Sequence, residues 1–346
     1  MSSVSGLGKR ARLAAAIEKL GGWRFLEHCA ARPGLAVLNY HRIAHPATDP
    51  LYRPIISATP QEFEAQMILL KAQFEIIGHD ELVDMVVGGV RVKRPRILIT
   101  FDDAYFDQFE HAAPVLRRLG IPAILFVPTG FLERPRLPWW DAVSWCLRQT
   151  RKDRLEFTYP VAIGFQADPA CGYEAAIPVW IARLLAARPF DEDRLNDELE
   201  RQTQVDPQPS AIVERLFMRV DHLRGWVDAG LAVGSHTYHH PRLTDLEPQQ
   251  RHWELIESQR WLARVLGTPI PTLAYPFGTS DAVDEPTKAM ARACGYQAAF
   301  AFEGGVNRPQ TLDRWAIRRF GVGHADTTSM IRGRLASLLA FGRTVV

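Results

Sequence analysis

Short apolar, β-branched runs alternate along this chain with longer stretches in which apolar residues return every three or four positions. The runs read as strands at Leu35–His41, Phe74–Ile77, Ile97–Phe101, Ala123–Val127, Leu231–His236, Thr272–Tyr275, Gln297–Ala301 and Trp315–Phe320. Most are nearly continuous in apolarity, a pattern expected of strands in a parallel sheet covered by helices. Between them, Pro60–Gln73 and Pro248–Leu266 carry helical periodicity and open on proline, a helix-start signal. Eight candidate strands over 346 residues predict an α/β protein with a closed barrel rather than an open doubly wound sheet.

The rhythm breaks between about 131 and 225. Leu137-Pro-Trp-Trp-Asp141, a short Leu155–Val161 strand-like run, a helical Asp191–Gln204 stretch and a polar Gln204–Ser210 joint replace it. This predicts a largely helical insertion in one loop of a barrel spanning 34–325. A helical segment over 1–33 and a helix over 326–346 flank it.

Composition narrows the setting. The chain is 47% hydrophobic and 23% charged, ordinary for a globular protein with a core. A formal charge of +2 gives no reason to expect nucleic acid as partner. Cys29, Cys146, Cys171 and Cys294 are far apart, without the Cys-x-x-Cys spacing of a thiolate metal site. No run approaches the roughly 18 apolar residues of a membrane span. The Leu13–Ile17 run is too short for a signal-peptide core and is broken by Glu18 and Lys19, so a cytoplasmic location is expected. Leu13, Ile17 and Leu20 share a face of a basic helix, which either packs on the domain or makes a peripheral membrane contact.

Chemistry gathers where the strands end, the place where α/β barrels build their sites. Those ends carry His41, Asp102-Asp103, Ser235-His236-Thr237-Tyr238-His239-His240 and Tyr275-Pro276-Phe277-Gly278. His236 and His240 are four residues apart, and one helical turn would set both imidazoles on one side. Two histidines and one carboxylate make three ligands, with a position open for water, as in catalytic zinc sites. The other carboxylate is then a candidate general base for that water. Adjacent side chains on a strand point apart, so the turn beyond the strand must bring both acids to the metal. Taken singly, the acid pair reads as a helix cap, and His239 is as eligible as its neighbours.

These residues resemble a known family, the polysaccharide deacetylases of carbohydrate esterase family 4, which share the NodB homology domain. Thr100-Phe-Asp-Asp103 matches the family's first motif and His236-Thr-Tyr-His-His240 its His-[Ser/Thr]-x-x-His motif. Ala274-Tyr-Pro-Phe277 is an imperfect form of Arg-x-Pro-Tyr, and Glu110–Val127 resembles the stretch after the first motif. The resemblance covers roughly 35–323 without the insertion. It implies a distorted (β/α) barrel of seven or eight strands, with Asp102 as base and Asp103, His236 and His240 as ligands. His239 falls at a variable position. The implied cofactor is a divalent metal, zinc with cobalt or manganese as alternatives. The implied reaction is hydrolysis of N-acetyl groups on a glycan substrate, with the Phe277 N–H at the oxyanion.

Two departures stand out. Ala274 replaces the arginine that orients the acid in the family, and Arg319 resembles an arginine that one branch carries on a late strand. Val322-Gly-His324 loosely matches the final Leu-x-His motif, source of the general acid, with His41 as a competitor. His41, Tyr275, Pro276, Trp139 and Trp140 are candidate substrate contacts, the tryptophans through stacking on sugar rings. O-acetyl ester or non-sugar amide hydrolysis, and non-catalytic glycan binding, are the competing functions.

Overall fold

Gly34-Leu-Ala-Val-Leu-Asn-Tyr40 is buried along its whole length, so both of its faces must be covered. In the computed structural model, which describes residues 2–29, 32–89 and 93–342, this segment is β1 (Gly34–Tyr40) of an eight-stranded parallel sheet. The others are β2 (Glu75–Ile76), β3 (Pro95–Asp102), β4 (Ala123–Val127), β5 (Ala232–Ser235), β6 (Thr272–Ala274), β7 (Ala298–Phe300) and β8 (Phe320–Gly321). Their order is β7-β6-β5-β4-β3-β1-β8, with β2 beside the first half of β3. The sheet curls back on itself at its ends. Ile317 bridges Phe300 of β7, and Phe320 pairs with Leu38 of β1. The fold is a distorted (β/α) barrel of seven to eight strands.

The run expected as one strand over Trp315–Phe320 is thus interrupted. At the break the Asn307 side chain replaces a neighbouring strand: its Oδ1 accepts from the Arg318 N–H and its Nδ2 donates to the Arg318 carbonyl, each at 2.9 Å. Asn307 also exchanges backbone hydrogen bonds with Leu35.

Period-two alternation sorts the strand residues into two cores. Leu35, Val37, Leu98, Ile124, Phe126, Ala274, Phe300 and Ile317 form one cluster. Ala36, Leu38, Ile97, Ile99, Phe101, Leu125 and Val127 join a second, with helical residues such as Phe63, Met67 and Leu335. On β1 and β3 the next positions in the first set are Asn39, Thr100 and Asp102, all buried, so alternation carries polar groups to the carboxyl ends. Helices cover the outside. α1 (Ser2–Lys19) and α2 (Gly22–Cys29) come before the sheet. α3 (Pro60–Gln73) starts with a Thr59–Glu62 capping box, and α4 (Pro248–Leu266) ends on Gly267 in the left-handed region. α5 (Thr328–Phe341) follows β8. Among the described residues no helix is long and apolar enough to cross a membrane.

The chain divides into two compact units. The barrel takes 1–45, 56–133 and 217–346; the second unit takes 46–55 and 134–216. It holds helices Trp139–Gln149, Ala176–Ala186, Glu192–Thr203 and Ser210–Leu216, and an antiparallel hairpin of Arg154–Phe157 with Ile163–Gln166. Its inner face sets Phe157 and Phe165 against Trp180. Asp141 accepts from the Tyr52 N–H at 2.9 Å and Arg148 donates to the Pro50 carbonyl at 3.0 Å, fastening 46–55 to the longer segment. The bounds are tighter than the 131–225 read from the sequence. Phe131 belongs with Phe217 and His240 in the barrel, and helix Val220–Asp228 leads into β5.

Gly234 of β5 has no room for a methyl group: a Cβ there would lie 2.4 Å from the Phe126 ring and 2.8 Å from Thr272 Oγ1. Gly234→Ala should therefore cost about 1–3 kcal/mol, read as a lower urea midpoint at unchanged m-value. An unshifted midpoint would mean that β4 and β5 separate without strain.

Candidate active site

Asp102 is the last residue of β3 and points inward by the strand's alternation. Its Oδ1 accepts from Arg319 Nη1 at 2.7 Å and its Oδ2 from Asn39 Nδ2 at 2.9 Å. Arg319 is 1% exposed, donates from Nε to the Ala301 carbonyl, and also reaches Asn39 Oδ1 at 3.0 Å. The Gln108 amide donates to the carbonyls of Asp102 and His41, fixing the backbone where β3 ends.

Asp103 would face the other way on a continuing strand. Instead Asp103 (φ 76°) and Ala104 (φ 55°) both take the left-handed conformation, which turns the chain at once. Asp103 Oδ1 then lies 3.6 Å from His236 Nε2 and 3.4 Å from His240 Nε2. The histidines do not converge through a helical turn. After β5 the segment is a loop, with Thr237 at φ 64° and His240 at φ 61°, and this folding brings the rings to 4.8 Å between centroids. The loop is held from outside by Glu254 of α4. Its buried carboxylate accepts the Tyr238 and His239 N–H groups at 2.9 and 2.8 Å and meets His239 Nδ1 at 2.7 Å. His239 is therefore turned to Glu254, away from the donor set.

One donor atom each from Asp103, His236 and His240 lie within 4.8 Å of one another. His236 Nδ1 is 2.7 Å from the Ala274 carbonyl, so this nitrogen carries the proton and Nε2 offers a lone pair toward Asp103. Two neutral imidazole nitrogens and a carboxylate oxygen suit a divalent first-row cation. Burial pushes the His236 pKa down to about 4, against the pull of Asp102, which keeps the ring neutral. Burial likewise lowers His41. For Asp102, burial alone would raise the pKa, but the Arg319 charge, then His236 and His41, hold the carboxyl well below the usual range.

The remaining expected residues are distributed unevenly. Arg319 stands against Asp102, where Ala274 leaves no arginine. Phe277 (φ 61°) and Gly278 (φ 62°) form a tight turn whose phenyl ring meets His240 edge-on at 5.2 Å. A Cβ on Gly278 would lie 2.5 Å from the Phe302 nitrogen. His41 is edge-on to Phe302 at 6.1 Å. His324 is fixed through its N–H to the Ile56 carbonyl, and its imidazole has no hydrogen bond or ring contact among the described residues. The Tyr275 side chain, expected to contact substrate, packs instead with Leu243, Tyr296 and Trp315, because it alternates away from the inward Ala274. Trp139 and Trp140 belong to the second unit and are buried there, edge-on to each other at 5.4 Å. Asn39, Gln108 and Glu254 were not singled out by sequence. A polar residue inside the apolar Leu35–Tyr40 run was the one available signal.

A protein-family model described as Polysaccharide deacetylase matches residues 197–299, which contain both histidines, β5 and β6. Over that segment the chain is similar to the polysaccharide deacetylase family. Members of that family are hydrolases acting on N-acetyl amide bonds. YxkH of Bacillus subtilis (strain 168), assigned provisionally to the polysaccharide deacetylases, is 20% identical over 290 residues, 83% of this chain and 71% of its own. IcaB from Ammonifex degensii shares the fold with a TM-score of 0.57 at 19% identity, over 88% of this chain and 98% of that one. The Streptococcus pyogenes deacetylase PplD, solved in complex with acetate, gives 0.56 at 14% identity, over 87% and 97%.

Two outcomes are expected of this site. Glu254→Ala should weaken any divalent-cation binding by Asp103, His236 and His240 about 10–100-fold, as loss of outer-shell partners does, with Glu254→Gln between it and the parent in competition titrations. Equal affinity in all three would show that the loop keeps its shape unaided. Folded His236 stays neutral down to about 4 whereas its ordinary value is 6.5. Between these values the unfolded chain binds more protons, so metal-free stability should fall as pH drops through that window. A Tm that stays flat there, or matches that of His236→Gln at every pH, would remove this contribution.

Proposed function

We propose that this protein hydrolyses N-acetyl groups on amino-sugar residues of a glycan, of the chitooligosaccharide or exopolysaccharide type. In this reading Asp103, His236 and His240 hold a divalent metal, with zinc preferred and cobalt or manganese as alternatives. The observation that carries it is the second carboxylate beside the donor set: Asp102 Oδ2 lies 3.9 Å from His236 Nε2. PplD, a similar fold solved with acetate, supports it, since acetate is the product expected here.

A cation in this position supplies charge that acidifies a water and polarises an amide carbonyl. Asp102 takes the water's proton. Arg319 and Asn39 keep that carboxylate ionised and aimed, while Oδ2 retains lone-pair capacity beyond its single bond to Asn39. The backbone N–H of Phe277 donates to the developing oxyanion. The water oxygen bonds to the carbonyl carbon, the C–N bond breaks, and the amine nitrogen takes a proton from His324. Acetate and a free amine leave. His41 and Pro276 contact the sugar.

Purified protein should release acetate from N-acetylglucosamine oligomers, lose the activity to a chelator and regain it with zinc. Asp102→Asn should lower kcat by about 10²–10⁴-fold with stoichiometric metal retained, whereas His240→Ala should lose metal and turnover together. Metal loss in Asp102→Asn equal to that in His240→Ala would reverse the roles of the two acids. Bound metal without acetate release would move the substrate to an ester or a non-sugar amide. Normal turnover in His324→Ala would transfer the proton donor's role to His41.

A further inference from the structure

The N-terminal helix pair packs through one side only. Ala14 of α1 and Trp23 of α2 are buried, joined by a hydrogen bond from Trp23 Nε1 to the Ala14 carbonyl at 3.2 Å. The indole lies so close to Gly333 of α5 that a Cβ there would sit 2.6 Å from it. Glu18 faces the same way and pairs with Arg332 of α5.

The other side carries Leu13, Leu20 and Phe25 at 55%, 87% and 68% exposure. These are three of the ten large apolar side chains that are exposed among the described residues, and they fall within 13 consecutive positions. Leu13, Ala16 and Leu20 recur at i, i+3 and i+7, which is one stripe along α1 and the turn that follows it. Lys9, Arg10, Arg12, Lys19 and Arg24 are exposed around them, and none is in an ion pair among the described residues. Glu18 is the one acid between residues 8 and 26, and it is turned inward.

We propose that this face docks on a bilayer containing anionic phospholipid. The two leucines and Phe25 enter the boundary between headgroups and acyl chains, and the five cations meet the acidic headgroups. The pairing of features selects the partner. A nucleic acid would neutralise the cations and leave the apolar side chains in water. A second copy placed on the same face would set five cations against five. Neither the metal site nor the glycan substrate enters this inference.

The test is flotation of the full chain with phosphatidylcholine vesicles, with and without phosphatidylglycerol. Binding is expected only with the anionic lipid, and it should weaken as salt is raised. Arg10→Ser with Arg12→Ser should reduce partitioning about 30-fold, at roughly fivefold per cation. Leu20→Ser with Phe25→Ser should also reduce it, although no charge is lost. Circular dichroism and turnover on a soluble substrate should be unchanged in both variants. No binding to either vesicle overturns the proposal, as does anionic binding indifferent to both variants. Binding to a soluble polyanion that is as strong in the Leu20/Phe25 variant, or self-association abolished by that variant, would assign the face to another partner and overturn it too.

Discussion

Arg319 and Asp102 are opposite charges placed inside the barrel, where water can stabilise neither. Isolated, either would be strongly unfavourable; together, with Asn39 and the Ala301 carbonyl, they define how the strands meet. Arg319 comes from the segment leading into β8, Asp102 from β3, Asn39 from β1 between them, and the Ala301 carbonyl from just beyond β7. One guanidinium therefore ties together the first, middle and last parts of the sheet, at the place where backbone pairing is interrupted and Asn307 bridges the gap. The rings of Phe126, Phe300 and Phe302 surround it within about 6 Å and hold the cation in place. The same pair that helps close the barrel fixes the ionisation and aim of the carboxylate proposed as base.

Strain is concentrated around that pair. Of the six non-glycine residues with positive φ among the described residues, five are Asp103, Ala104, Thr237, His240 and Phe277, all in the site's loops. Each departs from the favoured backbone at a cost of order 1 kcal/mol or more. Asp103 shows what is gained, because a regular strand would send its carboxylate to the face opposite Asp102. Glu254, Gln108 and Gly278 are the restraints that keep these conformations populated, through hydrogen bonds to backbone groups in two cases and the absence of a side chain in the third.

Much of this could be read from the chain, for reasons that are local. Buried parallel strands need continuous apolar runs, so the eight strands stood out, and α3 and α4 were marked by proline starts and periodicity. Asp102, Asp103, His236 and His240 were legible because they follow strand ends in motif order. What escaped depends on three-dimensional neighbours. Glu254 is one of two acids, with Glu257, on a polar helix until the fold sets it under the His236–His240 loop. Tyr275 shares a motif with Phe277 yet faces the outer core, since side-chain direction follows the alternation of β6. Residues 46–55 carry no sequence mark of belonging with 134–216; contacts to Asp141, Arg148 and Glu174 reveal it.

That divided second unit bears on synthesis at the ribosome. Tyr52 and Pro50 are made 89 and 98 residues ahead of Asp141 and Arg148, the side chains that bind their backbone. For that interval the Tyr52 and Pro50 backbone lacks these two side chains, although β1 and β3 on either side of it can already pair. Arg319 is made 217 residues after Asp102, so the carboxylate is in the chain long before the countercharge that it holds in the finished barrel.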